Sequence, residues 1–172
     1  MASRLVVSGD SEDLFAPDRQ VSRVEFAAIL VRGLGLMRPG SGRDIFSDVP
    51  GTAWYYDAAT IAYEYNIVAG YGNGKLGPLD KITREQAMAM VVRAMKLTGL
   101  YEEMTEQEVN QVLAGYKDVN RVSGYARTSV AACVKSGIIT GKSKTILAPQ
   151  DNITRAEVTA IISRLLRQSG LI

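Results

Sequence analysis

The chain has 172 residues, a formal net charge of +2 and a composition that is 47% hydrophobic and 22% charged, which is typical of a globular protein. It contains no histidine and one cysteine, Cys133, so catalytic and zinc sites built on histidine or on several cysteines are excluded, as are disulfides within the chain. The small positive charge argues against a nucleic-acid partner, whose many phosphates need clustered Lys and Arg, but it suits a modestly anionic partner.

The first predicted helix begins at a capping box, Ser22-Arg23-Val24-Glu25. In such a box the hydroxyl of the first residue and the carboxylate three residues later each accept a hydrogen bond from the other residue's backbone amide. Residues 35–45, which follow that helix, contain several glycines and a proline and are predicted to form a plain linker.

The apolar residues of the second predicted helix recur at i, i+3, i+4 and i+7, namely Ala58, Ile61, Ala62 and Tyr65. This helix is expected to end near Asn66. The glycine-rich sequence Gly70-Tyr71-Gly72-Asn73-Gly74 predicts a compact loop or a short hairpin. A third helix then begins at the capping box Thr83-Arg84-Glu85-Gln86.

The connector 98–115 contains a further capping box, Thr105-Glu106-Gln107-Glu108, which predicts a short extra helix to about Ala114. The last predicted helix begins at Thr154-Arg155-Ala156-Glu157, and its box again joins a hydroxyl to a glutamate three residues later.

One unit recurs three times along the chain. Gly9, Pro17 and Arg23 return 61 residues later as Gly70, Pro78 and Arg84, and after a further 71 residues as Gly141, Pro149 and Arg155. The upstream half occurs twice, at 46–49 with Trp54 and at 116–119 with Tyr125. The chain is therefore divided into repeat one at 1–37, without its first half, repeat two at 44–97, a linker with a short helix at 98–115, and repeat three at 116–172.

Each repeat places an arginine at the first position of its capping-box helix: Arg23, Arg84 or Arg155. A cation there faces the positive end of the helix dipole, which costs about 0.3 to 1 kcal/mol when exposed, so stability alone favours Asp or Glu. Such an arginine is nevertheless a good anion site, because free amides and a guanidinium point at the same oxygens. Alternatively, each arginine pairs inside the fold with an acidic residue such as Asp48 or Asp118, or lies in solvent.

Aromatic residues occupy equivalent positions at Trp54 and Tyr125, and Tyr71 stands in the glycine-rich loop. These rings are interpreted either as ordinary core or as platforms at a groove edge that stack on a sugar face. The loop does not predict a nucleotide site, because no Lys-Ser or Lys-Thr follows it and no long strand precedes it.

Other features narrow the function classes. Cys133 lies in the apolar stretch 130–134 and is interpreted as a small buried hydrophobe. No stretch approaches the roughly 20 apolar residues of a membrane span, so we expect no membrane insertion. The N-terminus lacks a secretion-signal pattern, so a place outside the cell implies that a signal was removed or that the chain is a fragment.

The pattern Phe-x-Asp-Val at 46–49, then Trp54, then Ile-Val-x-Gly-Tyr-Gly-Asn-Gly at 67–74 and Ile-Thr-Arg-Glu at 82–85 resembles the S-layer homology domain family. The hallmark of that family is a helix-opening Thr-Arg-Ala-Glu, which residues 154–157 match in full. The resemblance covers nearly the whole chain. It implies an all-α, mainly helical fold: a pseudo-threefold, three-pronged spindle whose capping-box helices form a central three-helix bundle, with ligand grooves between neighbouring repeats.

The resemblance also implies a non-catalytic, extracellular module that anchors a bacterial surface protein to a secondary cell-wall polysaccharide, commonly through pyruvylated N-acetylmannosamine. No cofactor or metal is implied. The ketal carboxylate is the anion that the arginines would bind. The residues expected to contact the ligand are Arg23, Arg84, Arg155, Ser22, Thr83, Thr154, Trp54, Tyr125, Asp48, Gly70, Tyr71 and Gly72.

Arg84 ranks first among the arginines, because its own repeat contains Trp54 and the Tyr71 loop. Lys142 and Asp10 replace Tyr71 in the other repeats. Repeat one lacks its first half, so its prong and groove are incomplete unless a partner chain or segment supplies the missing helix.

Two rival functions remain open. The first is a self-assembly or protein-docking module of a surface layer, in which the repeats bury partner helices. The second is a glycan-cleaving enzyme with an acidic pair facing a cleft, which is weaker because Asp48 and Asp118 recur for reasons that the repeat already explains.

Overall fold

The computed structural model describes residues 16–172. Six α-helices form in this part of the chain: α1 Arg23–Gly33, α2 Tyr56–Glu64, α3 Arg84–Leu97, α4 Glu106–Leu113, α5 Arg127–Lys135 and α6 Arg155–Gln168. Two single-turn 3₁₀ helices, Val119–Arg121 and Gly124–Ala126, precede α5. The strand pairing seen among the described residues is limited to isolated bridges, which confirms the all-α class. The predicted loop of repeat one, with Gly9, Asp10 and Phe15, lies outside them.

All four predicted capping boxes are formed, at Ser22, Thr83, Thr105 and Thr154. At α3, Thr83 Oγ1 accepts from the Gln86 N–H at 3.3 Å, and Gln86 Oε1 accepts from the Thr83 N–H at 3.1 Å. Each box satisfies two amides that would otherwise be unpaired. The predicted helix starts and the extra helix in the connector are therefore confirmed. Residues 35–45 form turns and irregular structure without a helix, as expected for a linker.

A single hydrophobic core takes side chains from all three repeats. Helix α1 packs against α2, α3 and α6, while α5 packs against both α3 and α4. The largest fully buried side chains include Phe26, Leu30, Ile61, Met88, Leu113 and Ile138. Cys133 belongs to this core, where its burial raises the pKa of the thiol, so its interpretation as a buried hydrophobe is confirmed.

Three equivalent buried residues, one before the capping box of each repeat's arginine-bearing helix (α1, α3 and α6), form a closed ring of backbone hydrogen bonds. Ile82 N–H donates to Val21 O at 3.2 Å, Ile153 N–H donates to Ile82 O at 3.0 Å, and Val21 N–H donates to Ile153 O at 3.1 Å. Each repeat therefore gives one bond to one neighbour and takes one from the other. This ring holds the starts of α1, α3 and α6 together. The three-pronged shape of the whole spindle stays an expectation.

One position in the loop before α1, α3 and α6 has a positive φ in all three repeats. Ala16, Gly77 and Ala148 occupy equivalent positions with φ of 46°, 66° and 52°. In repeats two and three, a carboxylate from the upstream half holds this loop. Asp48 accepts from the Leu76 and Gly77 N–H groups, both at 2.8 Å, and Asp118 accepts from the equivalent amides at 2.9 and 2.7 Å.

Candidate functional site

The helix starts do not offer free amides to an anion. In α1, α3 and α6 the first amide donates to a carbonyl of a neighbouring repeat, as Arg23 N–H does to Asp80 O at 2.8 Å. The second donates to a proline carbonyl, as Val24 N–H does to Pro78 O at 3.1 Å, and the third donates to the capping side chain. The same bonds recur at α3 and α6. The backbone part of the expected anion site is therefore occupied by the protein itself.

Arg84 is buried, with 3% of its surface exposed, and each of its three guanidinium nitrogens donates a hydrogen bond. Its Nε donates to Leu147 O at 3.0 Å and its Nη2 to Thr140 O at 2.9 Å, while its Nη1 donates to Glu157 Oε1 at 2.6 Å. Arg84 thus follows the alternative interpretation, pairing with an acidic residue inside the fold, although the partner is neither Asp48 nor Asp118. Its ranking as the first ligand clamp is not favoured.

Asp48 takes part in none of the ion pairs found within residues 16–172, and it holds the loop by its backbone amides. Partial burial raises the pKa of this carboxyl, but hydrogen bonds from the Leu76 and Gly77 amides outweigh that effect, so the pKa lies below its ordinary value. Ser22, Thr83 and Thr154 use their hydroxyls in the capping boxes.

Arg23 lines a groove of about 440 Å³ that contains residues of all three repeats. It is buried, with 8% of its surface exposed, and its Nε has no hydrogen-bond partner. None of the ion pairs found within residues 16–172 includes Arg23. Its guanidinium carbon lies 4.9 Å from the centre of the Tyr71 ring, a cation–π contact.

Two further cations line the same groove. Arg93 donates to Ile67 O at 3.2 Å, and its pKa is lowered first by burial and then by the positive charge of Arg23. Lys96 lies over the Tyr101 ring at 4.5 Å from its centre. Sequence reasoning missed both residues, although Arg93 recurs in the other repeats as Arg32 and Arg164, a signal that could have identified it.

Tyr71 and Tyr125 stand at the mouth of the groove with 49% and 65% of their surfaces exposed, so their interpretation as ordinary core is wrong. The Tyr71 hydroxyl donates to Asp80 at 2.9 Å. The Tyr125 hydroxyl donates to buried Glu85 at 3.3 Å, and burial together with that carboxylate raises the pKa of Tyr125 to about 12. Each phenol is thus fixed by a hydrogen bond that its hydroxyl donates to a carboxylate.

Trp54 is exposed but does not line this groove. Its ring lies 5.6 Å from the guanidinium of Arg32 and packs edge-on against Tyr55. Sequence reasoning grouped Trp54 with Tyr71 because both belong to repeat two, whereas the structure groups Tyr71 with Tyr125.

The loop glycines differ in their roles. A Cβ on Gly70 would meet Lys75 O at 2.7 Å and the Phe46 ring at 2.8 Å, so this position requires glycine. Gly72 has a positive φ of 81° in open space.

In repeat three, Lys142 replaces Tyr71 and forms an ion pair with Asp151 at 2.8 Å. Arg155 is buried at the start of α6.

The groove can bind an anion and stack a ring, since it joins three cations to two exposed phenols. Within residues 16–172, no group of three metal-binding side chains comes together. The helices that the structure describes are all too short or too polar to cross a membrane.

Comparison with known proteins identifies the repeats. Residues 1–27, 45–88 and 115–159 match the S-layer homology domain. The chain is 37% identical over 171 residues to an amylopullulanase of Thermoanaerobacterium thermosulfurigenes, covering 99% of the chain and 9% of that protein. It is 34% identical over 170 residues to exoglucanase XynX of Acetivibrio thermocellus, covering 99% and 15%. It is 28% identical over 161 residues to the cellulosome-anchoring protein of the same organism, covering 92% and 34%. The chain thus spans a minor part of these relatives.

Proposed function

The chain belongs to the S-layer homology domain family, the cell-wall anchoring modules of cell-surface proteins, and we propose that it binds an anionic wall polysaccharide, without turnover, in the groove at Arg23. The chain is a cell-surface, cell-wall-associated module. The catalytic relatives match it over a small share of their own length, so their enzymatic activities lie largely in sequence that this chain does not contain.

The unpaired guanidinium of Arg23 carries the proposal. A buried cation without a carboxylate partner is costly, because it has lost water and gained no counter-charge. Arg93 adds a second positive charge nearby, and the charge of Arg23 contributes, after burial, to lowering the pKa of Arg93. An external carboxylate in the groove would neutralise this charge.

The ligand we propose is a secondary cell-wall polysaccharide that carries pyruvylated N-acetylmannosamine. Its ketal carboxylate would pair with Arg23, while Tyr71 and Tyr125 would stack on the sugar faces. Lys96 lies at the same groove and would attract the polymer over a longer range.

Calorimetry with purified wall polymer tests this proposal. Arg23→Ala should weaken binding of the pyruvylated polymer about tenfold to a hundredfold, since a hydrogen bond to a charged group contributes about 1.5 to 3 kcal/mol. Removing pyruvate from the polymer should weaken binding to the wild type similarly. Arg43→Ala, which deletes an exposed arginine outside the groove, is the matched control and should bind normally.

Two results would contradict the proposal. One is equal binding of the Arg23→Ala variant and the wild type. The other is a concentration-dependent oligomer in sedimentation that ignores the polymer, which would favour the self-assembly module instead.

A further inference from the structure

The third helical position of the capping boxes differs between repeats, carrying Glu25, Gln86 and Glu157. In α6, the Glu157 carboxylate makes two contacts. Its Oε2 accepts from the Thr154 N–H at 2.9 Å, and its Oε1 accepts from Arg84 Nη1 at 2.6 Å. One oxygen therefore closes the cap, and the other neutralises the arginine of the preceding repeat.

Gln86 is able to close its cap but not to neutralise an arginine. Its Oε1 accepts from the Thr83 N–H, and because that partner is a donor, the amide must present its oxygen there. The other end of the side chain is then an NH₂ group, which donates and offers nothing to a guanidinium. Gln86 lines the groove of Arg23. Gln86 belongs to the repeat that follows the repeat of Arg23, just as Glu157 belongs to the repeat that follows that of Arg84.

We propose that Gln86 is the specificity-determining residue that keeps the Arg23 groove open to an external carboxylate, whereas Glu157 closes the equivalent site at Arg84 with an internal one. This inference rests on the proposed function and deepens it, because it selects the first of these two sites as the one that binds. The loops follow the same division. Tyr71 presents an exposed ring beside Arg23, while Lys142 is neutralised by Asp151 in repeat three.

Gln86→Glu is the decisive variant, because glutamate already forms the capping boxes at Glu25 and Glu157 and preserves the fold. The new carboxylate should pair with Arg23, raise the thermal midpoint and weaken binding of the pyruvylated polymer by about tenfold or more, which corresponds to about 1.4 kcal/mol. A variant that is merely damaged would instead lose stability and binding together. Gln107→Glu adds the same charge in the first turn of α4, at an exposed position outside the groove. It should leave polymer binding unchanged, and its small rise in thermal midpoint measures what an acid in a first helical turn contributes through the helix dipole alone.

Glu157→Gln is the reciprocal variant. It removes the acceptor of Arg84 Nη1 and should lower the thermal midpoint, while binding of the pyruvylated polymer stays unchanged at a temperature where the variant is folded. Weaker polymer binding by this variant would show that the Arg84 site takes part in binding, and it would overturn the inference. A second binding event would show that the Arg84 site can be opened independently of its loop, and it would support the inference.

A measurement without ligand separates the inference from the proposed function. The side-chain N–H of Arg23 in ¹⁵N NMR should exchange with water more slowly in Gln86→Glu than in the wild type. Unchanged exchange overturns the inference even where the polymer does not bind. Conversely, a wild type that fails to bind the pyruvylated polymer contradicts the proposed function, and a wild type that binds no better than Gln86→Glu contradicts the inference alone.

Discussion

Arg23 and Arg84 occupy the same helical position and have opposite surroundings. Arg84 gives hydrogen bonds to two carbonyls and a carboxylate, so its burial stabilises the contact between repeats two and three. Arg23 keeps an unsatisfied Nε beside an exposed ring. The proposed carboxylate ligand would recover the free energy that this unpaired cation costs the folded protein, a common trade of stability for function.

Asp48 predicts how stability depends on pH. Its pKa is lowered in the native state, so its contribution is present above the unfolded-state pKa and is lost as pH falls through the native pKa. Asp48→Asn replaces one acceptor by an NH₂ group facing a backbone N–H, and should cost about 1 kcal/mol at neutral pH, at the low end because the group is partly exposed. Urea unfolding from pH 7 to pH 3 should show the gap to the wild type narrowing in acid.

Asp118→Asn is the natural comparison for that measurement, because Asp118 holds the equivalent loop through two equally short bonds. It should cost a similar amount at neutral pH. A gap between Asp48→Asn and the wild type that stays constant across the pH range would contradict the assignment.

At the scale of helices and loops, sequence patterns located the elements well. Capping boxes and apolar stripes depend on residues three or four positions apart, so the starts of α1, α3, α4 and α6 and the end of α2 near Asn66 were predictable. Asn66 has a positive φ of 56°, and Gly137 occupies the equivalent position in repeat three. These features are local and need no knowledge of how the repeats dock.

The loop around Gly77 predicts a variant that tests the part of the Tyr71 ring in binding. Ala16 and Ala148 tolerate the same backbone, but a Cβ on Gly77 would meet the Tyr71 ring and Asp80. Gly77→Ala should therefore displace Tyr71 and weaken polymer binding about threefold to tenfold, the range expected for an aromatic contact of about 0.5 to 1.5 kcal/mol. Calorimetry measures this loss.

Ala148→Gly is the control for the loop, since it relieves the same positive φ where Lys142 replaces the ring. Its binding should match that of the wild type. If Gly77→Ala also bound normally, Tyr71 would have no part in holding the polymer.

At the scale of the whole molecule, the site could not be predicted from the sequence. Arg84 contacts the loop of repeat three and Arg23 contacts the loop of repeat two, so each arginine meets the following repeat rather than its own. Which repeat packs against which around the ring depends on contacts between residues that are far apart in the sequence. The importance of Gln86 follows only once the contact between Arg84 and Glu157 is known.

The closed ring and the shared core predict that the described part of the chain unfolds as one unit, because no repeat keeps its hydrogen bonds or its buried surface alone. Far-ultraviolet circular dichroism of the helices and near-ultraviolet circular dichroism of the tyrosines should give coincident urea transitions. An earlier loss of the tyrosine signal would show that one repeat opens separately. Pyruvylated polymer should move both transitions together to higher urea.

The ring of Val21, Ile82 and Ile153 also bears on how such an anchor carries mechanical load. The Arg23 groove takes its walls from all three repeats, so in the proposed binding mode tension that separates any pair of them would dismantle the polymer site. Because the ring is closed, a pull on one repeat is shared by two sets of backbone bonds rather than passed along a single chain of contacts. The force that this anchor withstands is therefore set by the rupture of its own fold as much as by the strength of its hold on the polymer.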